Sequence, residues 1–242
     1  MSYKISIKQE QYSTYILADE SAQSFLELVP QRGAIITNWR IQGHNILYLD
    51  KERFSDPNLS VRGGIPILFP ICGNLPDNVY TDRDCATRTG EADRQYKLKQ
   101  HGFARDLPWQ VSATNTDNCA KIDLTLTSNA QTLSIYPFEF ELEFSYQLQG
   151  NSLKIHQTFT NNSDRSMPFS TGLHPYFWVK DKVPLEFQIP ATAYQNQISK
   201  EVESFSGKFD FDREELDLAF GDLKGHSTSI TDKQRRFKIQ LN

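Results

Sequence analysis

Tyr136-Pro137-Phe138-Glu139-Phe140-Glu141-Leu142-Glu143-Phe144-Ser145-Tyr146-Gln147-Leu148 is the stretch that decides the fold. From Phe138 to Leu148 every second residue is apolar, and Glu, Ser or Gln stand between. Successive side chains of a strand point to opposite faces, so this period predicts a long strand with one face in a core and the other in water. Shorter runs repeat it: Ile122, Leu124 and Leu126 before, then Leu153 and Ile155, Leu185, Phe187 and Ile189, and Phe237, Ile239 and Leu241. Turn residues separate the runs, notably Gly150-Asn151-Ser152 and the stretch from Asn161 to Asp164. Strand, turn and strand without intervening helices imply antiparallel pairing, and so an all-β sandwich or barrel.

The N-terminal third follows the same pattern. Phe25 to Val29 and Ala34 to Ile41 predict two strands joined at Pro30-Gln31-Arg32-Gly33, with Ile46 to Leu49 as a third. Asp212 to Phe220 predicts a helical turn or two, because Asp212 and Glu215 are spaced as an N-cap and its capping-box partner. No internal repeat, low-complexity tract or Pro/Gly/Ser linker divides the chain, so 1–242 reads as a single domain. Its last run, Arg236 to Leu241, is still alternating when the chain stops at Asn242, so its pairing must come from upstream. This raises the expectation of a chain shorter than its fold.

Composition limits the function classes. The chain has 242 residues, 38% of them hydrophobic, enough for a core. Lys+Arg number 26 against Asp+Glu 30, a formal net charge of −4, which argues against nucleic-acid or anionic-lipid partners. No run approaches the ~18 apolar residues of a membrane span. Met1-Ser2-Tyr3-Lys4 lacks the order of a signal peptide, so a soluble cytoplasmic protein is expected. Cys72, Cys85 and Cys119 are odd in number and widely spaced, and read as reduced thiols with no shared role. Without a secretory signal, the sequon Asn161-Asn162-Ser163 is a coincidence.

Three motifs could carry chemistry. In Val61-Arg62-Gly63-Gly64-Ile65-Pro66 two glycines let backbone approach a ligand, and Arg offers a planar fork for phosphate or carboxylate; a tight turn with a surface arginine competes. Gln100-His101-Gly102-Phe103-Ala104-Arg105 can present an imidazole and a cation to one pocket, or be an exposed loop. Ser170-Thr171-Gly172-Leu173-His174-Pro175-Tyr176-Phe177-Trp178 sets a histidine beside aromatics that could form an apolar floor for sugar C–H groups, or a core cluster. His44, His156 and His226, and the acidic run Asp210, Asp212, Glu214, Glu215 and Asp217, read as surface.

In this order the motifs resemble the aldose 1-epimerase (galactose mutarotase-like) superfamily, nearest its hexose-6-phosphate mutarotase branch, also called glucose-6-phosphate 1-epimerase. Arg62-Gly63-Gly64-Ile65-Pro66 resembles that branch's Arg-Gly-Gly-Ile-Pro, His101-Gly102-Phe103-Ala104-Arg105 its His-Gly-Phe-Ala-Arg, and His174-Pro175-Tyr176-Phe177 its His-x-Tyr-Phe. Tyr136-Pro137-Phe138 before the long strand is similar too. The resemblance implies a β-supersandwich with few short helices and an isomerase that interconverts α and β anomers by acid/base ring opening. The implied substrate is a small sugar or sugar phosphate, with no metal or cofactor. By the same resemblance His174 is the general acid and His101 a sugar-contacting histidine, while Arg62 and Arg105 surround a phosphate. Asp217, in Leu216-Asp217-Leu218, resembles a substrate-binding aspartate. The family's general base is a glutamate followed by Pro and Trp near the C-terminus, and no Glu-Pro-Trp occurs here. The expectation is therefore either a shortened chain or fragment, left with a sugar-binding role, or a substitute carboxylate, for which Asp217 is the candidate.

Overall fold

The computed structural model describes residues 2–82 and 93–242; Cys85 lies outside the described residues. The chain divides into two compact units, 1–178 and 179–242.

In the first unit, β1 (Tyr3–Gln9), β2 (Ser13–Asp19), β3 (Ser24–Val29), β4 (Ile35–Ile41) and the short β5 (His44–Asn45) form an antiparallel meander in chain order. Next come a short helix α1 (Lys51–Ser55), β6 (Ile67–Leu68) and the hairpin of β7 (Val79–Asp82) with β8 (Arg94–Lys97). A second meander contains β9 (Gln110–Asn115), β10 (Ala120–Thr127), β11 (Phe140–Gln149) and β12 (Ser152–Asn161), with the single turn α2 (Ala130–Leu133) between β10 and β11. The two-residue β13 (Gly172–Leu173) pairs with β6.

β11 is the strand that the alternating stretch predicts. Phe140, Leu142, Phe144, Tyr146 and Leu148 are all buried, whereas Glu143 and Gln149 are exposed. Burying such side chains stabilises by about 1.5–3 kcal/mol each. They meet Ile122, Leu124 and Leu126 of β10 and, from the first meander, Leu17, Leu26 and Leu28 in one continuous core. The Tyr146 hydroxyl crosses this core and donates to the Ala34 carbonyl at 3.1 Å, and burial pushes its pKa up. The two meanders thus form a sandwich closed by apolar packing and a satisfied polar contact.

Asp19 fastens its rim. One carboxylate oxygen accepts from the Ser21 hydroxyl at 2.6 Å and from the amides of Ser21 and Ala22, and the other accepts from the Gly150 amide at 2.9 Å. The β2–β3 turn is thereby tied to the β11–β12 turn. The Ser21 hydroxyl leads the groups that hold this carboxyl below its ordinary value, with the Gly150 and Ala22 amides adding to it against the opposing effect of burial. A lowered folded-state value stabilises above the unfolded carboxylate pKa of about 3.9, and that contribution disappears as pH falls through the folded value. The urea midpoint should therefore fall on acidification from about pH 5 to pH 2, and Asp19→Asn should flatten that limb.

The second unit contains two small antiparallel sheets: β14 (Leu185–Gln188), β18 (Thr228–Asp232) and β19 (Phe237–Leu241) in the order β14-β18-β19, and β15 (Ala193–Asn196), β16 (Val202–Ser204) and β17 (Leu218–Ala219) in the order β16-β15-β17. The last alternating run finds its upstream partner in β18. The helix expected over Asp212–Phe220 does not form. Residues 211–214 are turn and bend, and β17 follows. Two competing interactions account for this. The Asp210 carboxylate accepts from the Asp212 amide, a local turn bond that replaces a helical cap. Phe220 packs edge-on against Phe205 and Phe209, while Leu218 pairs with Asn196, which requires extended chain.

No helix of the described residues is long and apolar enough to cross a membrane.

Candidate functional site

All three motifs fall on or beside one segment, residues 62–73. Gly64 is where backbones converge. Its N–H donates to the Tyr48 carbonyl at 2.7 Å and its carbonyl accepts from Tyr176 at 2.9 Å. Its φ is 66°, and a Cβ placed there would lie 2.2 Å from the Ile36 carbonyl oxygen. Only glycine combines that left-handed geometry with such close approach.

Downstream, the segment holds the second and third motifs on its two edges. Along one edge β6 pairs with β13 (Leu68 with Gly172, Ile67 with Leu173), and the His174 amide continues the ladder onto the Pro66 carbonyl at 3.1 Å. Along the other, Phe69 bridges Gly102, and the Phe69 carbonyl accepts from Phe103 at 3.0 Å and Ala104 at 3.2 Å. Gly102 has φ 70° and its missing Cβ would be 2.2 Å from that same carbonyl oxygen, so this edge also requires glycine. The Phe69 ring anchors the segment in the core, touching Phe103, Tyr136, Phe140 and Phe159.

His101 and His174, far apart in sequence, thus hang from opposite edges of one segment, their ring centroids 5.7 Å apart at 66°. His174 is exposed and stacks on the Tyr176 ring at 4.8 Å. His101 is half-buried; burial first, then the positive charges of Arg105 and His174, push its pKa down. Its ring Nδ1 accepts from the Gly73 amide at 3.0 Å, and its own amide donates to the Gly73 carbonyl at 2.9 Å.

Arg105 is largely buried, its side chain 17% exposed. It donates through one terminal nitrogen to the Gln100 carbonyl at 2.9 Å, and Asp106 Oδ2 is 4.0 Å from its Nε. That Nε is buried without a hydrogen-bond partner among the described residues. Arg62 heads the same segment with its side chain exposed and its carbonyl accepting from Asp50. Asp217 belongs to the second unit, exposed immediately before β17, its carbonyl accepting from Gln197 at 2.7 Å. A cleft of the first unit, about 790 Å³, is lined by residues such as Tyr12, Glu27, Tyr48 and Trp178 and includes neither histidine. No cluster of three or more His, Cys, Asp or Glu among the described residues could hold a metal.

Gly73 and Ser170 gain roles that sequence reasoning did not assign. The Ser170 hydroxyl accepts from the Cys72 amide at 2.8 Å and the Ser170 amide donates to Pro70 at 2.9 Å, fastening the loop that carries Gly73. Each of these contacts has a backbone atom on at least one side, and such atoms leave no mark in residue identity.

Antiparallel sheets with few short helices, carrying a histidine pair on a glycine-bent central segment, define a galactose mutarotase-like β protein. A protein of that description from Lactobacillus casei ATCC 334 shares the fold at TM-score 0.67 and 22% identity, over 98% of this chain and 78% of its own. The aldose 1-epimerase family model matches residues 19–240, and the chain belongs to that family. The Slr1438 protein from Synechocystis sp. PCC 6803 is 47% identical, with a TM-score of 0.89 over 98% of this chain and 79% of that one. Protein LacX, chromosomal, of Lactococcus lactis subsp. lactis is 32% identical over 118 residues, 48% of this chain and 36% of that protein. The protein of Cenchrus ciliaris named "Putative glucose-6-phosphate 1-epimerase" is 29% identical over 159 residues, 62% of this chain and 42% of that one. The chain therefore spans less than half the length of either of these two relatives.

Proposed function

We propose that this chain binds an aldose, preferably a hexose 6-phosphate, and interconverts its α and β anomers by acid/base ring opening. The observation that carries this reading is the His101–His174 pair, brought to 5.7 Å by the glycine-bent segment between them. Ring opening requires a proton delivered to the ring oxygen and another taken from the C1 hydroxyl. His174, exposed and stacked on Tyr176, is the donor in this reading, since an imidazole can both give and take a proton. Asp217 is the candidate carboxylate for substrate binding and, if one of these residues serves as base, for that role.

Saturation-transfer NMR on glucose 6-phosphate and on glucose tests the proposal. Exchange above buffer supports it; a folded chain that gives neither exchange nor sugar binding overturns it. The second reading is a sugar-binding protein without turnover. Saturable binding with no exchange would select that second reading.

The phosphate preference rests on Arg105, whose Nε has no hydrogen-bond partner among the described residues, and on exposed Arg62. Each charge-assisted contact is worth about 1.5–3 kcal/mol. Arg62→Ala and Arg105→Ala should therefore each weaken glucose 6-phosphate by roughly 10–100-fold while changing glucose far less. Equal weakening of both sugars in a titration would remove phosphate from the assignment.

A further inference from the structure

The hydrogen bond between the Gly73 amide and His101 Nδ1 has a chemical consequence. A backbone N–H only donates, so at 3.0 Å the ring atom facing it must be an acceptor with a free lone pair. A flipped ring would put a carbon there, which cannot accept, so the ring orientation follows from the same contact. A neutral imidazole with Nδ1 as acceptor carries its proton on Nε2. Protonating Nδ1 would set two N–H groups against each other and break the contact.

We infer that the Gly73 amide fixes His101 as the neutral Nε2–H tautomer, and so sets which ring nitrogen can donate a hydrogen bond to a sugar. The inference rests on the proposed sugar site for its functional half and on local geometry alone for its tautomer half.

Three features make the lock stiff. The contact is reciprocal, since the His101 amide donates back to the Gly73 carbonyl at 2.9 Å. His101 and Gly102 have φ of 64° and 70°, a sharp turn that delivers the ring to the Gly73 loop. Ser170 holds that loop from the strand leading to His174, through Cys72 and Pro70. The groups acting electrostatically on His101 are Arg105 from its own loop and His174 from the segment just after β13. Both oppose a positive imidazole, in the same direction as burial.

Long-range ¹H–¹⁵N spectra of the histidine-labelled full chain, with His101 assigned by its loss in His101→Gln, read the tautomer without sugar or turnover. The expected result is an unprotonated Nδ1 and a protonated Nε2 throughout about pH 6–8, the range in which an ordinary imidazole titrates. A protonated Nδ1, or shifts averaged between the two tautomers, would overturn the inference whether or not the chain is a mutarotase. The functional half is read from exchange rates. His101→Gln, which retains an N–H donor but cannot exchange protons, should lose less exchange than His101→Ala. An acid/base histidine would lose ~10²–10⁴-fold in either variant, and that result would reject the donor role. A parent chain with no exchange but the locked tautomer would separate failure of the proposed function from failure of the lock.

Discussion

His174→Ala should reduce anomer exchange by ~10²–10⁴-fold, the range that one positioned acid/base group supplies. The loss should appear in turnover and only weakly in sugar binding, because the proton transfer belongs to the transition state. Folding should change little, by about 0.5 kcal/mol, since the side chain is exposed and the His174 amide keeps its bond to Pro66 when the ring is removed. Saturation-transfer NMR beside a urea melt of the same preparation separates the two effects. Unchanged exchange in the alanine variant would transfer the acid role elsewhere and remove the main support for the proposed mechanism.

Gly64→Ala should have the largest effect on stability. Alanine at φ 66° costs about 1–2 kcal/mol from backbone conformation alone. The new Cβ would also lie 2.2 Å from the Ile36 carbonyl oxygen, which already accepts the Ile65 amide at 2.9 Å. Backbone cannot rotate aside as a side chain can, so relief requires moving β4 or the 62–73 segment. The expected total is about 3–5 kcal/mol, at the upper end for a single substitution. Gly43→Ala is the control: its φ is 83° but no atom lies within 4 Å of the added methyl, so it should cost only the conformational part, about 1–2 kcal/mol. Urea unfolding of both variants gives the difference. Equal losses would mean that the close approach at Gly64 adds no cost beyond its backbone conformation.

These two predictions concern different kinds of information in the chain. The acid candidate and its partners are visible as residue types, because proton transfer and anion binding need particular side chains. The glycines at 63, 64 and 102 are visible too, though why they are needed is not: the oxygen against Gly64 belongs to Ile36 and the one against Gly102 to Phe69.

Strands β10, β11, β12 and β19 were legible by themselves. Each buries one face more than the other, and side-chain solvation is a local property that sequence records as period two. β1 carries the same period, Tyr3, Ile5 and Ile7 between Lys4, Ser6 and Lys8, but the run is short and Ile7 is 51% exposed, so it buries little of the face that its pattern offers. The segment over Asp212–Phe220 was misread because capping chemistry is local, whereas the packing of Phe220 on Phe205 and Phe209 is not. What only the tertiary structure decided is the site itself: that residues 62–73 run between the segments bearing His101 and His174, and that the Gly73 amide faces an imidazole nitrogen. Every non-proline residue carries the same N–H and C=O, so which of them meet depends on the path of the chain through the core.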